Sequence, residues 1–161
     1  MTISAGDTIP FTTFSKMVDG EITQVDGEAI FKDRSVIVFG LPGAFTSTCD
    51  TMHVPSFMRV MDDLKSKGVD EVICLANNDP WVMDVWSSST GGAEAGITFL
   101  TDPTGDFAEA IGMLMEVPAI GFHRRSKRYA MHLDNGVVKV WHPQIEAGCD
   151  ISGGEAMRDA I

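Results

Sequence analysis

The chain has 161 residues, with 12 basic and 23 acidic side chains and a formal net charge of −11. Such an acidic chain repels phosphate backbones and anionic lipid, so nucleic acid and membrane surfaces are poor partners. Apolar residues make up 44% and charged ones 22%, an ordinary globular composition, and no apolar run reaches the about 18 residues of a membrane span.

The length fits a single domain over residues 1–161, without repeats, low-complexity stretches or a linker. Met1 to Gly6 has no basic segment followed by an apolar stretch, so a secretory leader is not expected. The three cysteines, Cys49, Cys74 and Cys149, form no C-x-x-C pair. An odd number of cysteines without a leader points to free thiols in a reducing, cytoplasmic setting. The spacing also excludes a structural zinc site and a thioredoxin-type dithiol.

Residues 1 to 30 read as an extra N-terminal layer with a hairpin around Asp19-Gly20. Ser35 to Gly40 is a short, nearly all-apolar run, as a buried strand reads. From Thr48 to Lys67 the apolar residues recur at helical spacing, and Gly68 stops them. Val72 to Ala76 is a second buried strand. Asp79 then caps a helix with Pro80 at its first position, running to about Ser88. Ile97 to Leu100 is a third strand, and Asp106 to Leu114 reads as a short helix. Tyr129–Leu133 and Val137–Trp141 are strands joined by Asp134-Asn135-Gly136, a strong hairpin signal. A last helix is expected from about Ser152 to Ala160. Strand–helix alternation followed by a hairpin and a helix predicts an α/β fold of thioredoxin-like architecture. It has a central mixed sheet, helices on both faces and an N-terminal β-hairpin extension.

The informative segment is Gly40-Leu41-Pro42-Gly43-Ala44-Phe45-Thr46-Ser47-Thr48-Cys49-Asp50. It joins a buried strand to a long helix, where ligands bind in open α/β sheets. Cys49 falls in the first helical turn, where unpaired N–H groups favour the thiolate. A small buried hydrophobe is the ordinary alternative for a free cysteine.

Pro42-x-x-x-Thr46-x-x-Cys49 resembles the active-site motif of the peroxiredoxins. Pro42 to Thr46 with His53-Val54-Pro55 is similar to the type II, peroxiredoxin-5-like, subfamily. So are Val72 to Leu75, Asn78 to Met83, Leu100 to Gly105, Lys127 to Met131 and Asp134 to Lys139. The likeness spans about Gly6 to Ala160. Ser47 stands where the subfamily usually has proline, Asp50 where it has serine, and Ser56 where it has glycine. Asp50 opposes ionisation of Cys49 if the two side chains face each other, or favours the helix N-terminus if they do not.

The resemblance implies a thiol peroxidase without cofactor or metal, acting on hydrogen peroxide and alkyl hydroperoxides. Cys49 is then the nucleophile, and Thr46 the hydroxyl that orients the peroxide. Arg128, on the strand before the hairpin, is the cation, while Arg124 and Arg125 are expected to be solvated. Pro42 shields the thiolate, and His53 is a structural residue near the site, with no partner identified to orient its ring. The oxidised Cys49 condenses with Cys149, with Cys74, or with an external thiol from glutathione, glutaredoxin or thioredoxin. Type II relatives pair through the face carrying this loop, so a homodimer through Phe45, Asp79 and Trp81 is expected. A thioredoxin-fold redox sensor or holdase without fast turnover is the competing reading.

Overall fold

The computed structural model describes every residue from Met1 to Ile161. In chain order the elements are β1 (Thr13–Val18), β2 (Glu21–Asp26), α1 (Gly27–Phe31) and β3 (Ser35–Gly40). A π-helical turn (Cys49–His53), α2 (Val54–Ser66), β4 (Glu71–Ala76), α3 (Pro80–Ser89) and β5 (Thr98–Thr101) follow. The chain continues with α4 (Asp106–Ala110), β6 (Leu114–Val117), β7 (Phe122–Ser126), β8 (Tyr129–Asp134), β9 (Val137–Pro143) and α5 (Gly154–Ala160).

Seven strands form one mixed sheet in the order β2-β1-β5-β4-β3-β8-β9. β3 pairs with β4, and β4 with β5, in parallel; β8 runs antiparallel to β3. Parallel neighbours need crossovers, which α2 and α3 supply. The alternation along β3 shows why both faces are covered. Ile37 and Phe39 enter a core with Phe57, Leu64, Met83, Trp86 and Met157, beneath α2, α3 and α5. Val36 and Val38 enter the opposite core with Phe14, Phe31, Phe107 and Ile111, beneath α1 and α4. All four β3 residues are fully buried, each contributing about 1.5–3 kcal/mol.

Both expected hairpins form. Asn135 and Gly136 have φ of 51° and 73°, and Asp19 and Gly20 have 50° and 81°, the double positive φ that matches strand twist in a two-residue turn. The N-terminal hairpin is not a separate layer, however: Ser15 of β1 pairs with Thr101 of β5, so it widens the central sheet. The helix expected over Asp106–Leu114 ends at Ala110, because Gly112 takes a φ of 77° and Met113 turns back to bond Ala108. Leu114 then begins β6, which pairs with β7 in a separate two-stranded sheet. The charged residues of Glu116 to Arg125, with Pro118 and Gly121, hide that pairing from any apolar pattern.

The helix expected from Thr48 opens at Ser47 and widens at once into the π turn. Pro55 has no N–H and its ring crowds the carbonyl four residues back. The Val54 N–H bonds instead to the Cys49 carbonyl, five residues back, the wider ring of a π-helix. At the base of the loop, Gly40 lies opposite Tyr129 in the β3–β8 register. A side chain there would run into the Tyr129 ring, so glycine lets that ring close over the strand end.

Ser56 seats α5 on α2. Its hydroxyl donates to the His53 carbonyl (2.7 Å) and accepts from the buried Gly154 N–H (2.9 Å). A Cβ on Gly154 would collide with the Ser56 backbone. Ser56→Ala strands the Gly154 N–H and is expected to cost about 1–3 kcal/mol. Gly154→Ala forces the helices apart at a cost of about 1–3 kcal/mol. Urea unfolding midpoints check both, and unchanged midpoints would refute this seating.

Candidate active site

Residues 41–46 form the loop between β3 and the helical turn that opens at Ser47. It is short of side chains that could fix it, so other elements do so. The Asn78 Oδ1 accepts from the Ala44 N–H at 2.8 Å, and Arg125 donates from Nη1 to the Pro42 carbonyl at 2.9 Å. Gly43 is buried against that guanidinium. Phe45 takes a φ of 63° and turns its ring outward, 54% exposed. Beyond it, the Thr46 hydroxyl donates to the Gly43 carbonyl at 2.7 Å. Its one proton is used, so its free lone pair faces a ligand only as an acceptor.

Cys49 is fully buried, and its Sγ accepts from the Arg128 Nη2 at 3.2 Å. Arg128 lies not within a strand, as the sequence suggested, but in the two-residue link between β7 and β8. Its carbonyl accepts from the Gln144 N–H at 2.9 Å, and the preceding Lys127 N–H bonds Met113 at 2.7 Å. The link is thereby held on both sides. Because Tyr129 pairs with Gly40, Arg128 stands over the mouth of the loop that leaves β3.

The second arm of Arg128, Nη1, lies 2.8 Å from His53 Nδ1, and His53 Nε2 lies 2.9 Å from the Ser152 carbonyl. A guanidinium only donates and a carbonyl only accepts. Nδ1 therefore accepts and Nε2 carries the proton, which fixes the neutral tautomer. Burial between Phe39 and Phe57, together with the Arg128 charge, pushes the His53 pKa down to about 3. The ring thus has the orienting partner that the sequence did not identify. It is the Ser152 carbonyl, nearly a hundred positions away.

Neither Arg128 nor Arg125 pairs with a carboxylate; every ion pair of the fold lies elsewhere. Two uncompensated cations thus flank one loop of a chain with net charge −11. Arg125 was expected in solvent and is half-buried instead, its guanidinium stacked on Phe122 at 5.2 Å. Arg124 is the partly exposed one, paired with Glu109. Asp50 does not face the sulfur. Its Oδ1 accepts from the fully buried Trp86 Nε1–H at 2.7 Å.

The other thiols differ in setting. Cys74 is enclosed in β4 opposite Phe39, and burial, then the nearby Cys49, pushes its pKa well above the ordinary value. Cys149 is partly exposed in the segment between β9 and α5, 3.9 Å from the Ser152 hydroxyl, and burial pushes its thiol up. The Gln144 side chain organises that segment through Asp150 and Ser152. Among the surface residues, Asp79 caps α3 by accepting from Val82 N–H at 2.9 Å, and Trp81 is 63% exposed beside Val85 at 62%. Asn78, Arg125, Ser152 and Trp86 are the residues to which sequence reasoning gave no role at the site. Each reaches the loop only through tertiary contact.

The sequence model of the Redoxin family matches residues 4–153. Peroxiredoxin-2C of Arabidopsis thaliana is 37% identical over 155 residues, covering 96% of this chain and 94% of that protein. Peroxiredoxin-2E-2, chloroplastic, of Oryza sativa subsp. japonica is 35% identical over 164 residues, covering 99% and 73%. The crystal structure of reduced Prx3 in complex with hydrogen peroxide, from Vibrio vulnificus, superposes with a TM-score of 0.92 at 32% identity, covering 99% of both chains. Likeness in sequence and in fold extends over the whole length. With the thiol–guanidinium pair at the head of a helix, it makes the chain a member of the peroxiredoxin family, of the type II kind, and a thiol peroxidase.

Proposed function

We propose that Cys49 is the thiolate that attacks hydrogen peroxide and alkyl hydroperoxides. The observation that carries this reading is the Arg128 Nη2 donated to Cys49 Sγ at 3.2 Å by a guanidinium with no carboxylate partner. A half-buried cation without a carboxylate counter-charge favours an anion at the atom it touches. The peroxide lies between Cys49, Thr46 and Arg128. Its O–H donates to the Thr46 oxygen, whose own proton is on Gly43. Sulfur forms a bond to the outer oxygen as the O–O bond breaks. The leaving oxygen departs as hydroxide or alkoxide and takes a proton, giving water or alcohol. Arg128 stabilises the charge that moves from sulfur to oxygen, Pro42 closes the pocket against water, and His53 holds Arg128 at the correct angle.

The resulting sulfenic acid condenses with a thiol, releasing water and forming a disulfide. Cys149 is favoured over Cys74 as an internal partner, since it lies in a segment outside the sheet, while moving Cys74 would require opening β4. External glutathione, glutaredoxin or thioredoxin thiols are equally suited. Three free cysteines suit a reducing compartment, and the cytoplasm is the location proposed. The exposed Phe45, Trp81 and Val85 support a C₂ homodimer through this face. A redox sensor without turnover is not favoured, because Asp50 is turned to Trp86 and leaves the thiolate unopposed.

Cys49→Ser is expected to abolish thiol-dependent peroxide consumption, whereas Cys74→Ser leaves the first oxidation intact. Arg128→Ala should raise the pH midpoint of Cys49 alkylation, and Arg128→Lys should restore it only partly, because a point charge cannot bridge His53 and the sulfur together. Turnover near that of the parent in Cys49→Ser would refute the nucleophile assignment.

His53 also sets a pH limb of stability. Its folded pKa of about 3 lies below the ordinary value of 6.5. Between the two, the unfolded chain binds a proton that the folded chain refuses, so stability falls as pH drops through this window. His53→Gln should flatten that limb in urea titrations from neutral pH downward. An unchanged slope would show that the ring titrates normally.

Sedimentation at tens of micromolar should report a dimer, and Trp81→Asp should shift it to monomer without unfolding. A monomeric parent at that concentration would refute the interface.

A further inference from the structure

No step of the peroxide reaction uses the Asp50 carboxylate, yet it is tied to the interior. Trp86 is fully buried, edge-on to Phe99 at 5.7 Å and near Phe45 at 6.5 Å, and its Nε1–H has Asp50 as partner at 2.7 Å. Asp50 stands next to Cys49 on the π turn, and its own N–H bonds the Thr46 carbonyl at 2.9 Å. The turn therefore has one anchor along the loop and one into α3.

That anchor matters because the two halves of the cycle need different geometries. Attack on peroxide needs the turn closed, with Arg128 on the sulfur. Cys49 is fully buried there, which keeps out a thiol carried on a molecule or segment far bulkier than a peroxide. A disulfide requires Cα atoms within about 7 Å and sulfur access, so the turn must open first. Opening pulls Asp50 away and leaves the Trp86 N–H buried without an acceptor, a costly state, and costlier because the lost acceptor is charged.

We infer that Asp50 is a positioning residue: by accepting the Trp86 indole N–H it holds the Cys49 turn closed, and so sets how oxidised Cys49 divides between a thiol and a second peroxide. This rests on Cys49 being the attacked thiolate. In the open turn the sulfenic acid and a thiol give a disulfide and water. In the closed turn the sulfenate attacks a second peroxide, sulfur is oxidised to the sulfinate, and the peroxide leaves as water or alcohol. A stronger clamp favours the second outcome.

The test is the yield of Cys49 sulfinate per turnover, mapped by mass spectrometry at graded hydrogen peroxide with a fixed concentration of dithiothreitol. Asp50→Ala should lower that yield by about tenfold. Asp50→Asn keeps an oxygen acceptor and loses only the charge, so it should stay within about threefold of the parent. Trp86→Phe, which removes the donor and keeps the packing, should behave like Asp50→Ala. If Asp50→Ala and Asp50→Asn give the same yield, Asp50 acts through charge or not at all, and the clamp is refuted. Sulfinate on a cysteine other than Cys49 would overturn the nucleophile assignment and the clamp together.

Discussion

A guanidinium shared between a neutral imidazole and a sulfur is the contact on which the rest of this site depends. Arg128 keeps its charge at every relevant pH, so its neighbours adapt to it. His53 adapts by giving up its proton at Nδ1, helped by burial among Phe39 and Phe57 and by the Ser152 carbonyl behind it. A charged histidine in that position would repel the arginine and turn it from the sulfur. The low basicity of His53 is thus part of how the cation is aimed. No carboxylate takes its place, so the other arm of the guanidinium is left to the Cys49 sulfur.

Several separate stretches of chain meet at that contact, and the sheet brings them together. β3 delivers the loop, and Gly40 lets Tyr129 pack across its end. The residue before Tyr129 is Arg128, so the β3–β8 register carries the cation to the loop. α5 and the segment before it close the back through Ser152 and through Gly154 on Ser56. The Ser56 hydroxyl, at a position where the subfamily usually has glycine, reinforces that closure. Asp50 follows the same logic on the other side, where its carboxylate satisfies an indole in the core.

The π turn connects stability with function. Pro55 withholds a helical N–H from the Thr51 carbonyl at the end of that turn, and the Val54 N–H closes the wider ring on the Cys49 carbonyl. The turn must open before a bulky thiol can reach the sulfur. Besides its backbone bonds, the turn is tied by side-chain contacts to α3 and to Arg128.

The strands and helices around the site were legible because their signals are local. Ser35 to Gly40 and Val72 to Ala76 are apolar runs that only a doubly covered strand can bury, Asp79-Pro80 is a cap, and Asn135-Gly136 fits one kind of turn. The motif around Cys49, with its helix-end position, drew attention to that thiol for the same reason, and the fold sets Arg128 against it. The β6–β7 pair was not legible, because its strands are stabilised by each other, β6 is only four residues long and β7 carries polar side chains without alternation. Nor were the roles of Arg125, Asn78, Ser152 and Trp86, or the true direction of Asp50. A hydrogen bond between residues far apart in sequence leaves no trace in the spacing of either. Residue type and local period determine which elements form; which side chain accepts from which is decided only when the sheet register and helix packing set distances to a few tenths of an ångström.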